Sequence, residues 1–202
     1  MNKNVQNILS VLSKASAQEV TEGMNWYKDA RAFCKKNAKE YGVSVEVVTA
    51  CLSALSPRNK WKNNLRDCVT VLEAVRSGQN PEDVSVCTFN RNKEKAFAIV
   101  REGKPSLVQM SNKTASFFDN IKYASSEAVT VDMWAYSIFH GKVTPAKGLK
   151  DKEYEEVAEA YRQAAKVAGM KAYQVQAVSW VTFRNMVKNK IALNQEVMPF
   201  AA

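Results

Sequence analysis

Glycine, proline and histidine are scarce in this chain: 202 residues include 7 Gly, 5 Pro and 1 His. So few turn-forming residues argue against a loop-rich β architecture and for helices. The lone histidine, His140, excludes a multi-histidine metal site and argues against a serine–histidine triad. Four cysteines, Cys34, Cys51, Cys68 and Cys87, form no C-x-x-C pair. They fall largely on apolar helix positions and fit the reduced core of a cytosolic protein. The longest uncharged runs, 47–57 and 172–183, are too short to cross a bilayer, and residues 1–14 have no signal-peptide character. A cytoplasmic chain with no membrane partner is expected.

What the chain does have is apolar residues, 46%, enough to fill a sizeable core. It also carries 29 Lys and Arg against 20 Asp and Glu, a net charge of +9. That balance favours an anionic partner, nucleic acid first and an anionic membrane surface second, although a chain that is simply basic would look the same.

Apolar spacing predicts helices over about 3–14 and 21–41, the second with Trp26, Ala30, Phe33, Cys34, Ala38 and Tyr41 on its inner face. Residues 45–55 are apolar nearly all round, which places that helix at the centre of the fold. Pro57 breaks the chain after it. Further helices follow on Leu65, Cys68, Val69, Leu72 and Val75, and from about Asn90, with Phe89, Ala96, Phe97 and Val100 inside. Between them 80–88 forms a loop. Short helices surround Lys113, one begins at Asp132, 141–148 is a basic loop, and two long helices finish the chain. The sum is an all-α domain of roughly ten helices. It forms one domain over 1–202 or two lobes, the terminal helices in one and about 45–140 in the other.

One stretch concentrates chemistry. Lys113 sits in the first turn of a helix capped by Ser111, and Asp132 opens another helix 19 residues later. Here the chain resembles the helix-hairpin-helix superfamily of DNA base-excision glycosylases. In that family a hairpin ending in lysine, threonine and alanine carries the catalytic lysine, and an aspartate heads a following helix. Leu107, Asn112, Lys113, Thr114 and Ala115 match the first feature, and Val131, Asp132, Met133 and Trp134 the second. Residues 49–56 resemble the family's central helix, and Asn90, Lys93, Lys95 and Ala96 its N-x-K-A helix. Gln176 with Trp180 resembles the base-pocket helix of the 8-oxoguanine glycosylase branch. The pattern is also similar to a phage-encoded group linked by analogy to modified-DNA metabolism, which would place the protein in host cytoplasm. Gln109 and Ser111 depart from the family by replacing the hairpin glycines, and no cysteine follows Cys87 to build an iron–sulfur loop.

The resemblance implies a helix-hairpin-helix element near 105–123 in a glycosylase-like bundle. It implies a monomer acting on double-stranded DNA that carries a modified or damaged base, with no metal or other cofactor. Lys113 would attack the sugar of an everted nucleotide as a neutral amine, and Asp132 would stabilise the sugar cation or assist a proton transfer. Without the resemblance they are a first-turn lysine and a helix cap. Phe117 and Trp180 would sandwich the base, Gln176 would read its edge, and Trp134 would close the pocket; core aromatics have the same spacing. Arg58, Asn59 and Trp61 would wedge into the duplex, or serve as a plain linking turn. Lys93, Lys95, Ser111 and Asn112, with Lys104, Lys142 and Lys147, would meet phosphates, where a solvated basic face is the alternative. Three functions remain open: excision at the glycosidic bond, modification of an activated pyrimidine, and DNA binding without catalysis.

Overall fold

The computed structural model describes residues 2–123, 126–146 and 148–189. Among them are nine α-helices, two short 3-10 helices and no strand, so the chain is all-α. The helices are α1 (Lys3–Leu12), α2 (Ala17–Tyr41), α3 (Val45–Ala54), α4 (Trp61–Arg76), α5 (Asn90–Glu102), α6 (Asn112–Lys122), α7 (Met133–His140), α8 (Asp151–Ala168) and α9 (Ala172–Lys188). The chain divides into a terminal unit, Met1–Tyr27 with Tyr123–Ala202, and a middle unit, Lys28–Lys122. The boundary lies inside α2. The middle unit therefore starts earlier and stops earlier than the expected 45–140, and α7 belongs with the terminal helices, packing on α1, α8 and α9.

The core of the terminal unit is built from Val5, Ile8 and Val11 of α1, Ile138 and Phe139 of α7, Val157 and Tyr161 of α8, and Val175 and Phe183 of α9. Tyrosine hydroxyls tie the segment before α7 to α8. Tyr154 Oη accepts from the Val131 N–H (3.0 Å) and donates to the Val129 carbonyl (2.8 Å). The start of α2 lies on α9 at Gly23, where a Cβ would fall 2.5 Å from the Val178 Cα. α2 begins at Ala17 rather than 21 because Ser16 and Glu19 form a reciprocal cap: the Ser16 N–H donates to Glu19 Oε2 (2.9 Å) and the Glu19 N–H to Ser16 Oγ (3.2 Å).

In the middle unit α3 is the central helix, with every residue from Val47 to Leu55 buried. It packs on α4, α5, α6 and the 3-10 turn Pro105–Met110. That turn takes the place of an α-helix before Lys113; Pro105 opens it and cannot donate a backbone hydrogen bond. α4 buries Cys68 and Leu72 as expected, but its inner face also takes in two polar residues. Asn64 and Asp67 are buried while Leu65 and Val69 are only half-buried, because both polar side chains bond to groups inside the unit. Two further expectations fail nearby. Phe89 lies outside, 44% exposed, and Cys87 is an exposed loop residue, whereas Cys34, Cys51 and Cys68 are buried free thiols.

Candidate functional site

The loops leading into α4 and α5 are pinned to each other within the middle unit. Asp67, 1% exposed in its side chain, accepts at Oδ2 from Asn59 Nδ2 (2.9 Å) and the Cys87 N–H (2.7 Å), and at Oδ1 from Arg66 Nη2 (3.0 Å). Thr88 Oγ1 donates to the Pro57 carbonyl (2.7 Å). Between these ties Arg58 takes a left-handed backbone, φ 54°, a conformation that costs a non-glycine residue about 1–2 kcal/mol. Its guanidinium lies 5.5 Å from the Phe89 ring centroid, and that of Arg91 lies 5.6 Å from the same ring. An exposed phenyl ring thus carries two guanidinium groups where two helices begin. Neither helix has a side-chain cap or an acidic residue in its first turn, so their N–H groups and dipoles add positive potential.

The other candidate residues of the middle unit are placed by their own contacts. Asn59 Nδ2 donates to Asp67 Oδ2 and to the Leu55 carbonyl. Trp61 opens α4 and meets Phe117 edge-on, ring centroids 6.2 Å apart. Lys93 is half-buried and donates to the Val84 carbonyl (2.7 Å). Lys95 is half-buried, and Lys104 pairs with Glu102.

Lys113 is the second residue of α6 and half-buried. Hydroxyls hold the turn before it. Ser111 Oγ lies 2.8 Å from Thr114 Oγ1 and accepts from the Thr114 N–H at 3.5 Å, while Thr114 Oγ1 donates to the Val108 carbonyl (3.0 Å). Ser111 itself is extended, φ −152°, and among the described residues Arg58 alone of the non-glycines has positive φ. The turn therefore does not use the backbone that makes glycine necessary in the family's hairpin. Asn112 is exposed, and Phe117, one turn beyond Lys113, is buried against Trp61.

The remaining expected residues lie in the terminal unit. Asp132 caps α7, its Oδ1 accepting from the Ala135 N–H (2.8 Å), and its Oδ2 accepts from Trp180 Nε1 (2.8 Å). The Trp180 ring sits 4.7 Å from that of Trp26, and the Arg184 guanidinium lies 4.2 Å from its centroid. Gln176 is 5% exposed, and its Oε1 accepts from Tyr27 Oη (2.9 Å). Trp134 packs edge-on to Phe183 at 6.0 Å. Lys142 is exposed; Lys147 lies outside the described residues. The structure thus joins Asp132 to Trp180 in one unit and Trp61 to Phe117 in the other.

Sequence reasoning missed Asp67, Phe89, Arg91 and Arg184 as site residues. Only Arg184 left a readable signal, its i,i+4 spacing from Trp180. Among the described residues no cluster of three or more His, Cys, Asp or Glu could hold a metal ion, and no described helix is long and apolar enough to cross a membrane.

Two all-helical units, one bearing a cation-flanked aromatic at two helix starts, describe the class of this protein. The chain belongs to DUF7178, a family of unknown function, which it matches over residues 1–187. Searches of curated proteins and of solved structures found no match.

Proposed function

We propose that the protein binds duplex DNA through its middle unit and acts on an everted nucleotide at the glycosidic bond, with Lys113 as nucleophile. The distribution of charge carries this reading. The middle unit holds 17 Lys and Arg against 10 Asp and Glu, net +7, whereas the terminal unit holds 12 against 10, net +2. The excess positive charge belongs to the unit that carries the Arg58–Phe89–Arg91 cluster and Lys113, and phosphate neutralisation dominates DNA affinity. Phe89 supplies an apolar ring to insert at a base step.

In the chemical step the Lys113 amine forms a bond to C1′ as the C1′–base bond breaks. The bonding pair leaves with the base, which takes a proton from water. Loss of a proton from the amine and opening of the sugar then give an iminium ion. Borohydride reduces that ion to a stable adduct, so trapping on duplexes with damaged or modified bases tests the reading. The expected result is a covalent adduct with the wild type and none with Lys113→Ala; no adduct across a broad base panel rejects the nucleophile. A heavier nucleoside in place of a released base would assign base modification instead.

One observation favours a second reading, DNA binding without catalysis. Both Asp132 oxygens are engaged, one in the helix cap and one on Trp180. On that reading Lys113→Ala binds DNA as the wild type does and no base is released or altered.

A further inference from the structure

Asp132, Trp180 and Arg184 form a chain of contacts inside the terminal unit that the nucleophile does not use. The Asp132 carboxylate fixes the indole by the Nε1–H to Oδ2 bond at 2.8 Å. Trp26 packs on the same indole at 4.7 Å. Arg184, one turn further along α9, lays its guanidinium over the ring at 4.2 Å. Trp180 is half-buried, but Arg184 is exposed. Among the described residues Arg184 makes no hydrogen bond or ion pair, so its N–H donors are unspent. A guanidinium held over an aromatic ring loses less freedom when it binds an anion, because its position is already set. Its fork matches the two oxygens of a phosphodiester.

We propose that Asp132 is a positioning residue which, through the indole of Trp180, holds Arg184 as a phosphate-binding group for a DNA strand. This rests on the DNA-binding reading above but assigns a contact in the unit of low net charge. It also gives Asp132 a role that needs no proton transfer.

The test is a double-mutant cycle on duplex affinity at several salt concentrations, using Arg184→Ala, Asp132→Ser and the pair. Serine can still cap α7, but it carries no carboxylate to reach the indole. Arg184→Ala should weaken binding about tenfold, the worth of one charge-assisted contact. It should also flatten the salt dependence by about one phosphate's worth. Asp132→Ser should weaken binding in the wild-type background and add nothing once Arg184 is alanine. Arg184→Lys should restore the salt slope without full affinity. In the 15N spectrum of the four tryptophan indoles, Asp132→Ser should remove the exchange protection of Trp180 alone, identified with Trp180→Phe.

Unchanged affinity in Arg184→Ala, or an Asp132→Ser loss equal in both backgrounds, overturns the proposal. If the wild type binds no DNA, the proposed function fails and this inference with it. If the wild type binds, and loses affinity through Arg58 and Arg91 but not through Arg184, this inference alone fails.

Discussion

The two units spend their polar residues differently. In the terminal unit they face inward: Tyr154 bridges two backbone groups, Tyr27 meets Gln176, and Asp132 serves a helix cap and an indole at once. The middle unit also buries one carboxylate, Asp67, but uses it to hold two loops that carry exposed cations. The terminal unit spends most of its polar groups on its own scaffolding and reaches a single exposed arginine through an indole, whereas the middle unit uses a buried carboxylate to pin two loops that present charge directly. A basic net charge is therefore a weak statement about a whole chain and a strong one about the unit that carries it.

Reversing Arg58 and Arg91 together to glutamate should weaken duplex binding by about a hundredfold or more, the loss of two charge-assisted contacts. The same reversal at Lys142 and Lys152 of the terminal unit should cost less than about threefold. Equal losses measured by fluorescence anisotropy would erase the distinction between the units.

Next in size is Asp67→Ala, which removes a carboxylate only 1% exposed and takes the acceptor from Asn59 Nδ2 and the Cys87 N–H. A loss of about 3 kcal/mol in denaturant unfolding is expected, with weaker DNA binding because the loops come apart. Loss of stability with unchanged binding would show that the pinned loops are not the contact. In the terminal unit Gly23→Ala should cost about 1–3 kcal/mol by overpacking against the Val178 backbone, visible as a lower Tm, and a neutral result would mean that α2 and α9 can separate at no cost.

A smaller effect separates strain from packing. Arg58→Gly removes the left-handed penalty and should leave the fold about 0.5 kcal/mol more stable while weakening DNA binding. If it destabilises the fold instead, the Arg58 conformation is not strained. Smallest is thiol reactivity in the native protein. Burial pushes the Cys34 thiol up to about 12, and a hydrogen bond with Cys51 and burial push Cys68 well up. Since thiolate is the reacting form, exposed Cys87 should be labelled first and alone; rapid labelling of a second cysteine would show that the middle unit opens.

Much of the fold was legible because helix periodicity and breakers are local. The all-round apolar run at 45–55 marked the central helix, and Pro57 marked its end. Asp132 was readable as a cap for the same reason. What escaped depends on distant partners. Asp67 looks like a surface residue until Asn59 and Cys87 close on it, and Phe89 looks like core until the loop turns it out. Lys93 reads as a surface cation, yet its stem is covered and its amine bonds to the Val84 carbonyl. Of the candidate site, the sequence pointed to the residue types and spacing around Lys113 and Asp132. The Trp180 hydrogen bond, which links residues 48 apart, had no local signature.

If the middle unit carries the main DNA-binding surface, its arginines set how binding responds to salt. The most direct test is the salt dependence of duplex affinity for the wild type and for the Arg58→Ala/Arg91→Ala pair. Affinity should fall steeply with salt, with a slope shallower by about two phosphates' worth in the variant. A slope identical in the two proteins, or a wild type whose affinity ignores salt, would contradict it.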